Sequence, residues 1–273
     1  MAVGSRLFGK TLGFLDPFFL CALCVFFPSS AVKILFLPLK GKIALITGAT
    51  QGIGLAIVRT LADEGCRLVL CGRNERQLRG IAAQLTRKRI KVLAQPCDIR
   101  SEQSVAKLFH AIRKEFRELD ILINNAGIAH GGFPVAKLPT QAWEDVIATN
   151  LTGMFLVTRA ALPLMKRGGV IVNNLSVAAK QVFPNLTAYN ASKHGALGFT
   201  NTLREELREK GIRVTALLPG ATDTAIWKMF WPEAPRKRMM HAEAIAQALL
   251  AALKMPAETS IDEILITPSG GAL

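Results

Sequence analysis

"TGATQGIG", Thr47 to Gly54, joins the apolar run "KIALIT" (42–47) to a stretch of helical periodicity over 54–63. Gly48, Gly52 and Gly54 let the chain turn sharply and let its backbone approach a pyrophosphate closely. A helix opening at that point offers free N–H groups and the positive end of its dipole. The spacing is G-x-x-x-G-x-G rather than the general G-x-G-x-x-G fingerprint. Glycines in a strand-to-helix turn also serve structure alone, so the rest of the chain must decide.

Outward from this loop the pattern alternates. "RLVLCG" (67–72), "KVLAQP" (91–96), "DILINN" (120–125), "GVIVNN" (169–174), "IRVTALL" (212–218) and "EILITP" (263–268) are short, apolar and rich in β-branched residues. Helical periodicity fills 101–117, 141–165, 189–210 and 240–254 between them. Alternation of this kind predicts an α/β fold, a doubly wound parallel sheet covered by helices on both faces. The chain has 273 residues, half of them hydrophobic, which suits one sizeable domain. The reading divides it into a hydrophobic segment, 1–39, and a catalytic body, 40–273.

The formal net charge of +14 favours anionic partners: nucleotide phosphates, an acidic carrier or an anionic membrane surface. No zinc-finger spacing, RNA-binding aromatic signature or basic helix with heptads is present, so nucleic acid is not expected. The five cysteines, Cys21, Cys24, Cys66, Cys71 and Cys97, form no disulfide framework and point to a reducing compartment. The four histidines are scattered, and no metal site is expected.

The second strand ends "CGRNER". A carboxylate there would accept hydrogen bonds from the ribose 2′-hydroxyl of NAD; Arg73 stands in its place and suits a 2′-phosphate. The alternative is that Arg73 only begins an exposed basic helix. Further on, "YNASK" (189–193) puts Tyr189, the one tyrosine of the chain, four residues before Lys193. Residues at i and i+4 share a helix face. An ammonium ~4 Å from a phenol would favour the phenolate by about 4 kcal/mol at an effective dielectric of ~20. This predicts a phenol drawn toward neutral pH and usable in acid–base catalysis. Ser176 ends a strand nearby, and Asn150 sits in an apolar helical stripe; each alone reads as an ordinary satisfied polar residue.

Taken together, "TGATQGIG", "NNAG" (124–127), Asn150, Ser176, "YNASK" and "PGATDT" (219–224) resemble the short-chain dehydrogenase/reductase family from about Gly41 onward. The resemblance implies a seven-stranded Rossmann-type sheet and NADP(H)-type chemistry. It implies Tyr189 as general acid, Ser176 as hydrogen-bond donor to the carbonyl, Lys193 on the nicotinamide ribose and Asn150 on a water-linked proton path. Cofactor contacts are implied for Gly48, Thr50, Gln51, Gly52, Ile53 and Gly54. Arg73, Asp98, Ile99, Asn125, Ala126 and Gly127 are expected on the adenosine side. Pro219, Gly220, Thr222 and Thr224 are expected at the nicotinamide end, with Thr222 where the family has an aliphatic residue. A homodimer or homotetramer is implied by the same likeness.

"AIWKMFWPEAPRKRMM" (225–240) falls where the family carries a mobile lid. Ile226, Trp227, Met229, Phe230 and Trp231 would make an apolar lid, suiting an apolar carbonyl substrate such as a 3-oxoacyl thioester. Arg236, Lys237 and Arg238 read as a solvated basic patch. At the N-terminus, residues 17–32 carry no charge. As a helix they would reach ~24 Å, short of the ~30 Å hydrocarbon core. The expectation is membrane association through residues 12–39 with the body in the cytosol; a cleaved signal peptide, and a soluble cytoplasmic protein with the segment folded back, are the alternatives. The competing functions are a non-catalytic NADP(H)-binding sensor and a membrane-attached interaction protein.

Overall fold

Seven short apolar segments become seven parallel strands. They are β1 (Ile43–Thr47), β2 (Arg67–Gly72), β3 (Val92–Pro96), β4 (Ile121–Asn124), β5 (Val170–Asn174), β6 (Arg213–Pro219) and β7 (Glu263–Ile266). The computed structural model describes residues 37–271 and 273. The hydrophobic segment and its expected anchor, with Cys21 and Cys24, lie outside the described residues up to position 36.

Strand order across the sheet is β3-β2-β1-β4-β5-β6-β7. The chain runs outward from β1 to β3, then returns to the other side of β1. The reversal lies between β1 and β4, and a crevice opens there beyond the carboxyl ends of the strands. The crossovers are α1 (Gly52–Asp63), α2 (Glu75–Arg87) and α3 (Glu102–Glu115) in the first half. In the second half they are α4 (Thr140–Ile147), α5 (Gly153–Ala161), α6 (Thr187–Arg208), the short α7 (Trp227–Phe230) and α8 (Ala242–Leu253).

Alternation along each strand builds two cores. Ala44 and Ile46 of β1 join Leu68 and Leu70 of β2 beneath α1, α2 and α8. Ile43, Leu45, Val69 and Cys71 face the opposite layer with α3, α5 and α6. β1 is buried along its whole length. Each fully buried Ile or Leu contributes roughly 2 kcal/mol of transfer free energy, so β1 anchors the glycine loop that follows it.

The predicted single helix over 141–165 is broken by a π-helical turn at Ala148–Thr152. Among the described residues, Thr140–Leu164 is the one helical run long and apolar enough to cross a bilayer by length and composition. Here Val157 and Ala161 of that run are packed in the core beside β4 and α3.

Candidate active site

The glycine loop takes the shape its sequence predicts. Gly48 and Gly52 have φ of 64° and 52°, the left-handed region that glycine enters freely. A Cβ on Gly54 would lie 2.2 Å from the Gly48 carbonyl oxygen, so only glycine lets α1 start this close to the loop. The N-termini of α2 and α3 are capped by side chains: Asn74 accepts from the Gln77 amide and Ser101 from the Ser104 amide. α1 has no such cap at Gln51. Its first N–H groups are left for a ligand, as an anion site requires.

Asn125 lines the same cleft, but its amide is engaged elsewhere. Nδ2 donates to the carbonyl oxygens of Thr47 (2.9 Å) and Gly48 (3.1 Å), and Oδ1 accepts from Asn174 Nδ2 at 2.8 Å. The side chain holds the loop rather than reaching for a ribose. Thr47 Oγ1 adds to the grip by accepting from the Asn125 and Ala126 amides.

At the far end, beyond β2 and β3, Arg73 is exposed and makes no hydrogen bond or ion pair among the described residues. It precedes the basic helix α2. Asp98 is gripped by Arg100, with Nη2 to Oδ2 at 2.7 Å and Nε to Oδ1 at 3.0 Å, and Arg100 reaches Asp145 at 2.9 Å. This hydrogen-bonded guanidinium holds the Asp98 carboxyl below its usual range, with a smaller contribution from Arg73. Ile99, Ala126 and Gly127 complete the wall. Arg100, Gln77 and Asn174 also line the cleft and were not among the residues read from sequence; "CDIR" held the one signal for Arg100.

The four residues expected to take part in catalysis converge at the crevice. Ser176 follows β5, and its Oγ accepts from the Ala178 amide at 3.1 Å. Tyr189 lies in the first turn of α6, half-buried, with its ring on the cleft. Lys193, one turn on, is buried, and its Nζ donates to the Asn174 carbonyl oxygen at 3.2 Å. Nζ is 5.6 Å from the Tyr189 ring centroid. Asn150 sits in the π-helical turn, with Oδ1 accepting from the Ile128 amide (2.9 Å) and Nδ2 donating to Ile128 O (2.9 Å) and Ser192 Oγ (3.0 Å). Asn150 and Lys193 make no direct bond, but a Cβ on Gly127 would meet both, at 3.3 Å from Oδ1 and 3.7 Å from Nζ.

The electrostatics correct one expectation. Burial pushes the Tyr189 phenol above its ordinary value, opposed by its hydrogen bond with Ser176. Lys193 is not among the groups that shift it; its ammonium donates to the Asn174 carbonyl oxygen. Burial in turn lowers Lys193 itself to about 8.

The model of the short chain dehydrogenase family matches residues 42–234. The chain belongs to that family. It is an oxidoreductase that works with a nicotinamide dinucleotide. A Streptomyces coelicolor protein named "Putative ketoacyl reductase" is 42% identical over 187 residues, covering 67% of this chain and 71% of that protein. Actinorhodin polyketide ketoreductase, solved with NADPH, matches at TM-score 0.73 and 34% identity over 84% of this chain and 96% of its own. A 3-ketoacyl-(acyl-carrier-protein) reductase of Brucella melitensis, solved with NADH, matches at 0.76 and 29% over 85% and 98%.

In this family member the cleft measures about 770 Å³ and continues past Tyr189 to an apolar end. Val177, Phe183, Leu186, Ile226, Trp227 and Phe230 form that end. Met229, expected there with them, faces solvent at 51% exposure, because a helix of four residues turns it away from the cleft. Trp231 also lines the cleft. The Trp227 indole N–H donates to the Thr222 carbonyl oxygen at 2.8 Å. Arg236 is no free surface charge: Nη1 bonds Asp223 Oδ1 (2.6 Å) and the Thr224 carbonyl oxygen (2.7 Å). Both attachments fall beside Pro219, Gly220, Thr222 and Thr224, which line the cleft.

Proposed function

We propose that the protein is an NADPH-dependent reductase converting an apolar ketone, of the 3-oxoacyl thioester class, to a secondary alcohol. The observation that carries this reading is the convergence of Ser176, Tyr189 and Lys193 where an uncapped helix N-terminus and an apolar pocket meet. The names of the relatives above support ketone reduction.

The residues fit a dinucleotide: a glycine loop with no room for a Cβ at Gly54, free N–H groups at α1, and an unpaired guanidinium at Arg73. The loop Gly48–Gly54 with Thr50, Gln51 and Ile53 would hold the pyrophosphate, and Arg73 a 2′-phosphate. Asp98, Ile99 and the main chain at Asn125–Gly127 would wall the adenosine, and Pro219, Gly220, Thr222 and Thr224 the nicotinamide. The bound dinucleotide supplies a hydride. Thr222 keeps its carbonyl for Trp227 and gives its hydroxyl to the Gly220 carbonyl, so the departure from an aliphatic residue leaves the backbone shape intact.

Ser176 donates its hydroxyl hydrogen to the ketone oxygen. Tyr189 gives that oxygen a proton as negative charge develops on it. A raised phenol suits this direction, since the acid form is the one present at neutral pH. Lys193, with its ammonium beside the Asn174 carbonyl, would hold a ribose hydroxyl of the dinucleotide and act as the proton source that restores Tyr189. Asn150, fixed by Ile128 and Ser192, faces the same point at Gly127 and would hold a water linking Lys193 to solvent.

We also infer that residues 1–39 attach the body, 40–273, to a membrane surface on its cytosolic side, supported by the uncharged run 17–32, and that the body pairs with further copies of itself. The deciding experiment measures NADPH and NADH consumption against ketones that include medium and long 3-oxoacyl thioesters. NADPH binding without turnover across that panel would overturn the reductase reading in favour of a nucleotide sensor.

A further inference from the structure

Asn174 is the last residue of β5, and its two ends serve different parts of the cleft. Its side chain lies on the face of Val172, which packs in the core beneath α1 and α8. There Nδ2 donates to Asn125 Oδ1 at 2.8 Å. Its main-chain oxygen accepts from Lys193 Nζ, which arrives from α6, at 3.2 Å. That is the one hydrogen bond of the ammonium among the described residues.

The link to the glycine loop has little slack. Asn125 Nδ2 donates to the carbonyl oxygens of Thr47 and Gly48. A Cβ on Gly48 would lie 2.9 Å from that nitrogen, and one on Gly54 2.4 Å, so the amide fills the space beneath both ends of the loop. With its nitrogen committed to two carbonyls, Asn125 presents an oxygen, and only a donor can meet it. Asn174 supplies the donor. This orientation leaves Asn174 Oδ1 buried and without a partner among the described residues, in a side chain that belongs to a residue 8% exposed. Buried acceptors without partners destabilise a fold. Leucine has nearly the same shape as asparagine. In its place it would exchange one unpaired oxygen, that of Asn174, for another, that of Asn125. Fold stability therefore gains little from an amide at this position, and the bond to Asn125 is what distinguishes it.

We propose that Asn174 is a positioning residue that holds the phosphate loop and Lys193 in one register, through Asn125 on one side and its own carbonyl on the other. This rests on the reading of the loop as the pyrophosphate site and of Lys193 as the ribose contact. A dinucleotide held at both points needs the two grips at a fixed separation. The path from Gly48 to Lys193 runs through two side-chain amides and one carbonyl, with bonds of 3.1, 2.8 and 3.2 Å. Releasing the middle bond frees the Asn125 amide to turn and loosens the loop, while Lys193 keeps its carbonyl. The loss then falls on the affinity and placement of the dinucleotide, and misplacement of a reactant by a fraction of an ångström slows transfer. Ketone binding, at the far end of the cleft, is untouched.

The test compares the wild-type full-length protein with Asn174→Leu, Asn125→Ala and the double variant. Fluorescence titration gives NADPH affinity, and single turnovers at saturating NADPH give the hydride-transfer rate. Steady-state assays with a medium-chain 3-oxoacyl thioester give the ketone KM, and urea unfolding gives stability. Asn174→Leu should weaken NADPH binding about tenfold, as loss of one buried hydrogen bond does. It should slow hydride transfer several-fold and leave the ketone KM and the urea midpoint unchanged. Added to Asn125→Ala it should cause no further loss of affinity, because the two amides act as a unit. Asn174→Ala takes its place if leucine does not pack. Unchanged NADPH affinity in Asn174→Leu overturns the role of Asn174; a loss in Asn125→Ala alongside it leaves the phosphate loop where it is. Fully additive losses in the double variant, or a loss that tracks a fall in the urea midpoint, make Asn174 merely structural and overturn the proposal too. Failure of the wild-type protein to bind NADPH overturns the dinucleotide reading and this inference with it.

Discussion

The Lys193 ammonium donates to the main-chain oxygen of Asn174 at 3.2 Å, and burial alone pulls it from 10.5 to about 8. Between those values the unfolded chain binds a proton that the folded chain has lost, so stability rises with pH through this window. Below about 8 the burial penalty is present in full. Wild-type protein should therefore gain about 2 kcal/mol relative to Lys193→Met between pH 7 and 9.5. Urea unfolding of both proteins without cofactor, at the two pH values, measures the difference. A gap that does not move with pH would show that Lys193 is not desolvated.

Tyr189 carries the proton in the proposed reaction, and its ring packs whether or not the hydroxyl is present. Tyr189→Phe should lower turnover at least ~10³-fold while NADPH affinity stays within a few-fold. Because the phenol is raised, the wild-type rate of ketone reduction should not decline between pH 6 and 8 from loss of the Tyr189 proton. Single-turnover rates across that range check this; retention of normal turnover in the variant removes Tyr189 from the mechanism.

Arg73 is the cation at the end of β2 with no bonded partner, whereas Arg100 is held by Asp98 and Asp145. Arg73→Ala should raise the KM for NADPH by ~10-fold or more and leave NADH nearly unchanged, the loss of a charge-assisted bond to phosphate. Equal effects on the two cofactors would assign the 2′-phosphate contact elsewhere, with Arg100 the next residue to test.

Trp227 forms a wall of the apolar end and is fixed by its indole N–H on Thr222. Trp227→Phe keeps an aromatic wall and loses that bond together with part of the ring area. We expect a several-fold rise in KM for the ketone, in line with one hydrogen bond worth about 1 kcal/mol, with NADPH affinity unchanged. Titration of the variant with NADPH, followed by steady-state assays, separates the two effects.

Much of this was readable in the sequence because strand and loop signals are local. All seven strands lie within two residues of the apolar runs, and the glycine loop needs only its own φ angles and a helix behind it. What was not readable depends on distant partners. The π-helical turn at Ala148–Thr152 holds Asn150, whose amide bonds Ile128 in the loop after β4, and no periodicity within 141–165 announces it. Asn125 matches a cofactor motif, yet its amide belongs to Thr47, Gly48 and Asn174, which only the sheet brings together. The i, i+4 spacing of Tyr189 and Lys193 correctly put them on one face. It could not say that the Asn174 carbonyl would take the ammonium and that burial would set both titrations.

The apolar wall of the cleft hangs from the segment proposed to meet the nicotinamide: Trp227 from Thr222, and Arg236 from Asp223 and Thr224. A wall suspended this way is expected to take its working shape after that segment has settled against the proposed dinucleotide. The expected outcome is a compulsory sequence of ligands, with dinucleotide first in and last out. In steady-state inhibition patterns, NADP+ should compete with NADPH, while the product alcohol should inhibit noncompetitively against it.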